Sequence, residues 1–483
     1  NRREADSLEG DANAHRRLDV ALHQGEAAAP PVPEEERPRS AGASKEAQEG
    51  LWRGRGAGPS SQVSELEATC LWQLLAVLLA FTLVAAACGD DDETSSSSSD
   101  AESSSSDAES SSSDAESSES DSGCERSGSA ANPIKPDDTT SDVDASDVTA
   151  AFVYLTDPGD AGWTWAHHRG AEQAAEATGA NLLTVENIPE GSPEFEQSVR
   201  DFIADGADAV FATSFGYMDA MEALSAEFPD VDFFHATGYL SNDSNFGNYF
   251  GRIYQARYLT GLTAGAATET NEIGYVAAFP IPEVIRGINA FTLGVREVNP
   301  DATVTVNWTS TWFDPAVEGE AAQALLDGGA DVIAMHQDST AAGERAEAAC
   351  ARWISYNSDM SEFAPNAYLS SAIWNWGHYY ALAIESVADG SFAGGGTWPG
   401  METGMVQIGS LADDVSQDIR DLIDQRSQEM ISGSFDPFTG PINDQDGNEI
   451  IAAGVTPPDF ADDGLFLLGM SVFVEGVVGS AEG

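Results

Sequence analysis

Basic residues are scarce in this chain: 21 Lys and Arg stand against 81 Asp and Glu in 483 residues, a formal net charge of −60. No lysine follows Lys135. A polyanion of this kind repels phosphate backbones, which argues against nucleic acid as a partner. Cysteine is equally sparse, with Cys70, Cys88, Cys124 and Cys350 and no CxxC or Cys/His grouping of metal-ligand spacing. No P-loop and no GxSxG stands where a strand would feed a helix. His167, His168, His235, His336 and His378 are dispersed and read as structural or supporting groups. Ser339, His336 and Asp338 crowd into one loop, which gives no nucleophile geometry. These absences leave no metal, cofactor or covalent chemistry to expect.

Length alone suggests about three domains at roughly 150 residues each, but composition divides the chain differently. Residues 1–69 lack the apolar content for a core and are read as an unstructured or mis-assigned extension, with a start nearer Leu71. Leu71–Ala87 is apolar except for Gln73 and Thr82, and it ends in small residues before Cys88. That pattern suits a cleaved signal over 70–88 better than a short spanning helix. It makes Cys88 a lipidated N-terminus on the outer face of a membrane. The nearest basic residues, Arg53 and Arg55, lie farther from the apolar run than a signal usually places them. Residues 89–148 are rich in Ser, Asp and Glu, with Asp100-Ala101-Glu102 recurring at Asp107 and Asp114. Without apolar a and d positions this is a solvated tether and no coiled coil. Cys124 and Cys350 remain as candidates for a pair in an oxidising exterior, although a tether position weighs against Cys124.

Residues 149–483 change character at once. Strand-like runs at Val148–Leu155, Asn181–Glu186, Ala209–Thr213 and Val231–Ala236 alternate with helical patterns at Trp163–Thr178, Pro193–Asp205 and Met218–Phe228. A second series comes next, with strands at Ile273–Phe279, Thr303–Trp308 and Val332–His336 and helices near Glu283–Val298 and Val317–Leu326. Such alternation predicts an α/β protein of two Rossmann-like lobes, each with a parallel sheet covered on both faces. Lobe 1 is expected over about 149–254 with a returning segment, and lobe 2 over about 270–375 with the C-terminal segments. The join lies near Tyr254–Thr268, and the helix near Gly377–Ala388 recrosses between the lobes.

Ligands of open α/β sheets bind beyond the carboxyl ends of the strands. The loops at those ends carry aromatic rings beside Asp, Ser and Thr: Asp160, Trp163 and Thr164 after the first strand, Phe215 and Tyr217 after the third. In the second lobe they hold Trp312, Asp338 and Asp359, and Trp374 ends a later strand. Flat rings sandwich planar ligands, and carboxylates accept from ring N–H and amino groups. That suits a nucleobase better than a sugar phosphate, for which these loops offer few cations.

These residues also carry a resemblance. The stretches Pro158-Gly159-Asp160-Ala161-Gly162-Trp163-Thr164, Thr213-Ser214-Phe215-Gly216-Tyr217-Met218-Asp219, His235-Ala236-Thr237-Gly238-Tyr239, Trp312-Phe313-Asp314-Pro315, Asp338-Ser339-Thr340-Ala341 and Pro437-Phe438-Thr439-Gly440-Pro441 occur in order. Together they resemble the basic membrane protein (BMP) family of ABC-transporter substrate-binding lipoproteins, with the class I periplasmic-binding-protein fold. The resemblance implies a purine nucleoside or base held between the lobes, and delivery to an ABC permease driven by separate ATPase subunits. It implies a monomer, and no enzyme. Position by position it makes Trp163 a stacking ring, Asp160 a ligand-contacting acid, Phe215 and Tyr217 a second aromatic edge and Asp359 the acid of the far lobe. Trp374 stands where nucleoside binders tend to carry lysine, which points to a free, adenine-like base over a nucleoside. A surface sensor of the same architecture and a nucleoside hydrolase using Asp160 or Asp359 are the alternatives.

Overall fold

The computed structural model describes residues 139–458 and 467–483. The expected extension, signal and Cys88 lipidation site, and the tether up to residue 138, lie outside the described residues. Packing begins before the first strand: Ala145 and Val148 are buried, and the Ala145 N–H donates to the Thr178 carbonyl at 2.8 Å.

The first lobe contains β1 (Thr149–Val153), α1 (Trp163–Thr178), β2 (Asn181–Val185), α2 (Pro193–Ala204), β3 (Ala209–Ala212), α3 (Met218–Glu227), β4 (Asp232–Ala236) and β5 (Phe246–Tyr249). Its strands are parallel in the order 5-4-3-1-2. Phe152, Phe211 and Phe234 are register partners on β1, β3 and β4. Their rings stack in a row at 4.4 and 4.5 Å, each pair worth about 0.5–1.5 kcal/mol beyond burial.

Helix α4 (Tyr254–Ala267) leads into the second lobe and is buried from Tyr254 to Gly265. There follow β6 (Glu272–Ala277), α5 (Pro282–Val298), β7 (Thr303–Trp308), α6 (Pro315–Asp327), β8 (Val332–His336), α7 (Ala341–Ala348), β9 (Arg352–Asn357) and β10 (Tyr368–Trp374). The parallel order is 10-9-8-6-7, the first lobe's order repeated. Helices α4 and α5 approach so closely that a Cβ at Gly294 would lie 2.0 Å from the Tyr258 carbonyl oxygen. Any side chain there would drive the helices apart.

The chain then recrosses. Helix α8 (Trp376–Ala388) packs on α1, where a Cβ at Gly170 would meet the Trp376 Cβ at 2.6 Å. Strand β11 (Gly395–Thr397) extends the first sheet beside β5, and β12 (Val406–Ile408) joins the second antiparallel to β10. Helix α9 (Gln417–Ile431), the β13 (Ile442–Asn443) and β14 (Glu449–Ile451) hairpin and β15 (Val477–Val478) against β7 complete the second lobe. The lobes are thus joined by three crossings, at about 250–254, 374–376 and 397–406. This is the two-lobed α/β architecture expected from the sequence, with an antiparallel edge strand and a C-terminal strand added. Cys350 is disulfide-bonded, and the other three cysteines lie outside the described residues.

Candidate functional site

Between the lobes, at the carboxyl ends of both sheets, lies a cleft of about 360 Å³ that includes its open mouth. The first lobe lines it with Leu155 beyond β1, Trp163 opening α1, Ser214 and Phe215 beyond β3, and Thr237 beyond β4. The second contributes Glu283 near the start of α5, Trp312 beyond β7, His336 and Asp338 at the end of β8, and Tyr356 in β9.

Trp163 is held from several sides. Its indole N–H donates to the Thr213 carbonyl at 2.5 Å. Its ring stands nearly perpendicular to Trp374, Trp376 and His167, with centroids 6.0, 5.7 and 4.2 Å away. Those three rings form a column, with Trp376 stacked on Trp374 at 4.5 Å and on His167 at 4.4 Å. Burial pushes the His167 imidazole well below its usual range, so it is neutral, with Nδ1 against the Tyr380 hydroxyl at 2.5 Å. The Phe215 turn is pinned by Glu190, which accepts from Ser214 Oγ at 2.5 Å and the Gly216 N–H at 2.7 Å.

The acids have distinct surroundings. Asp160 is committed to its own loop: its carboxylate accepts from the N–H groups of Gly162, Trp165 and Thr164 at 2.9, 2.9 and 3.0 Å and from Thr156 Oγ1 at 2.9 Å. Gly162 has no side chain, so Asp160 supplies the cap that the first turn of α1 requires. Among the described residues Asp338 accepts from the Asn357 amide, at 2.8 Å. Burial first, then Asp160 and Glu318, hold its carboxyl well above the usual range. Asn357 in turn accepts the Trp374 indole N–H at 3.2 Å. His336 Nε2 lies 3.5 Å from Glu283 Oε1, and burial pulls the imidazole down to about 4, so it is neutral at pH 7.

Of the residues singled out in the sequence, Trp163, Phe215, Trp312 and Asp338 come together in the cleft wall. The others lie elsewhere. Thr164 is fully buried and shares a 2.5 Å hydrogen bond with Thr156. Tyr217 turns into the core, stacks on Phe195 at 4.2 Å and donates to the Ile188 carbonyl at 2.5 Å. Asp359 accepts from Ser410 Oγ at 2.5 Å and from the Ser361 N–H at 3.1 Å. Trp374 backs Trp163 without lining the cleft. Glu283, His336, Tyr356 and Thr237 line it and were not picked out as ligand contacts. Their position at or just beyond strand ends, or at the start of the next helix, was the available signal.

The lobes touch in this structure. Ser358 Oγ donates to the Ala161 carbonyl at 2.5 Å, and a Cβ at Gly162 would lie 2.3 Å from the Asp338 carbonyl oxygen. Among the described residues no group of three or more His, Cys, Asp or Glu is arranged to hold a metal.

The pattern of the family described as "ABC transporter substrate-binding protein PnrA-like" matches residues 148–435. The chain is 41% identical over 352 residues to a putative ABC transporter glucose-binding protein of Haloferax volcanii, covering 71% of this chain and 85% of that one. It is 40% identical over 328 residues to a purine-binding protein of Brucella abortus, covering 68% and 91%. ABC transporter solute-binding proteins from Conexibacter woesei and Aeropyrum pernix superpose with TM-scores of 0.52 and 0.53 at 22% and 20% identity. They cover 60% and 65% of this chain and 98% and 94% of their own, a likeness of fold.

Proposed function

The chain belongs to the PnrA-like family of ABC transporter substrate-binding proteins, and from that premise we propose that it captures a purine base, adenine-like, between its lobes. Membership itself makes it an extracytoplasmic protein that takes a small molecule to permease and ATPase partners. The observation that carries the finer reading is the composition of the cleft. Trp163 and Phe215 from one lobe and Trp312 and Tyr356 from the other surround two carboxyl groups, and among the described residues no Lys or Arg lines the wall. Flat rings accommodate a flat heterocycle, and acids accept its N–H donors. Closure of the lobes over the ligand, with the crossings as hinges, then presents the complex to the permease. Lipidation at Cys88 and the acidic tether would hold a monomeric body at the outer face of the membrane. No bond-making step is assigned.

A nucleoside is the second reading, and one observation favours it. Trp374, whose ring was expected to occupy ribose space, stands behind Trp163. Calorimetric titration of the purified chain, stripped of co-purified ligand, decides among adenine, guanine, hypoxanthine, adenosine, guanosine and glucose. Tight adenine binding with weak adenosine binding is expected. Tighter adenosine binding would replace the base with the nucleoside, and binding of glucose alone would overturn the purine reading.

A further inference from the structure

Glu283 follows Pro282 at the start of α5, where an acidic residue ordinarily serves the helix dipole in solvent. Here it lines the cleft, with a side chain only 12% exposed. His336 Nε2 lies 3.5 Å from it, too long for a strong hydrogen bond, and the Glu283 charge is also felt by the buried Arg286 one turn along the helix. A neutral imidazole so placed turns its Nε2–H towards Glu283, and its Nδ1 has no partner. Across the cleft, Thr237 is 6% exposed and its Oγ1 is likewise unpartnered. Thr237 also holds φ at +64°, a region that β-branched residues avoid. Backbone strain and an unsatisfied buried hydroxyl at one cleft-lining residue mark a group kept for something other than packing.

We propose that Glu283 is the specificity-determining acceptor of the cleft, reading an amino-substituted edge of the ligand while Thr237 Oγ1 serves a ring nitrogen from the opposite lobe. This inference rests on the purine reading and deepens it. A carboxylate can only accept, so it rewards an exocyclic amino group and rejects a carbonyl at the same place. A hydroxyl can donate to the adjacent ring nitrogen. Adenine presents that pair of an amino donor and a ring acceptor, whereas an oxopurine puts a second acceptor where the amino group stood. A site built around such a hydrogen bond discriminates strongly, because the wrong ligand leaves a buried polar group unpaired or opposes two acceptors. His336 orients Glu283, and Asp338 remains available for a further N–H.

The experiment begins with wild-type titrations of adenine, hypoxanthine, adenosine and glucose. If no purine binds, the purine reading fails and this inference falls with it. If adenine binds, Glu283→Gln is expected to lower the adenine-to-hypoxanthine affinity ratio at least tenfold, because a carboxamide can donate to the carbonyl. A ratio within twofold of wild type would overturn the role of Glu283 and leave the purine reading standing. Near-UV circular dichroism of the variant reports whether it folds. Should it not fold, Glu283→Asp keeps the charge and shortens the reach. It is expected to lose adenine affinity at least tenfold while still preferring adenine to hypoxanthine, and unchanged affinity would overturn the proposal. Thr237→Val is expected to weaken adenine several-fold, and unchanged affinity would remove Thr237 from the reading.

Discussion

The two walls of the cleft are built from the same strand order and both present aromatic rings, but the carboxyl groups that line it come from one wall. The first lobe contributes rings and small hydroxyls, with its nearby acid, Asp160, consumed by four hydrogen bonds in its own loop. The second contributes Glu283 and Asp338, whose carboxyls retain unused acceptor capacity, and a neutral His336 between rings. The difference teaches a division of labour. One lobe is a pre-formed seat whose acid is already spent on its own loop, leaving the Thr237 hydroxyl open, and the other is a reader whose carboxyls keep acceptor capacity for the ligand. Repeating a topology therefore does not repeat a function, because the strand-end loops vary independently of the sheet.

The largest test removes the seat. Trp163→Ala is expected to cost about 3–5 kcal/mol of stability, as truncation of a buried Trp does. It should also cost about 1–3 kcal/mol of binding, the value of a ring stacked on a base. Chemical denaturation and titration measure the two separately, and full affinity in a folded variant would abolish the contrast between the walls. Next is the contact between them. Gly162→Ala places a methyl where the Asp338 carbonyl now lies. Binding should weaken at least tenfold, about 1.4 kcal/mol, with little change in the unfolding midpoint and a larger radius of gyration by X-ray scattering. A smaller effect separates the acids. Asp160→Ala loses the helix cap and should cost about 0.5–2 kcal/mol, a loss that shrinks as pH rises through the folded value, because burial holds the Asp160 carboxyl above its usual range.

Asp338→Asn should instead leave stability at neutral pH unchanged or raised. A carboxyl whose folded value is raised stabilises fully below the usual carboxylate range, and that contribution is lost as pH rises through the folded value. The asparagine variant should therefore lack that part of the decline seen on titrating the ligand-free protein upward. An N–H from a ligand favours the ionised acid, so wild-type affinity should rise with pH until Asp338 ionises unaided. Identical pH profiles for wild type and Asp338→Asn would remove Asp338 from the reader.

The alternation of apolar strands and amphipathic helices made the architecture legible: Trp163–Thr178, Thr303–Trp308 and Val332–His336 are the expected elements residue for residue. The three-residue strands β11 and β12 were not legible, because so short a run has no period. Within the cleft, strand-end position pointed to Trp163, Phe215, Trp312 and Asp338. It could not separate Phe215 from Tyr217, which flank one glycine in a 3-10 turn that directs one ring to the cleft and the other to the core. Glu283 was hidden for a different reason. An acid after Pro282 looks like a routine helix start, and only the fold shows that this start faces the opposite lobe.

The ring column beside Trp163 has an optical consequence. Trp374 and Trp376 stack at 4.5 Å across the second crossing, with Trp163 edge-on to both at 6.0 and 5.7 Å. Indoles so close share their excited states, so the chain carries its own chromophore at the joint between its lobes. Opening and closing should then register as a change in emission and in the aromatic dichroic bands, without any label, on the timescale of the hinge itself.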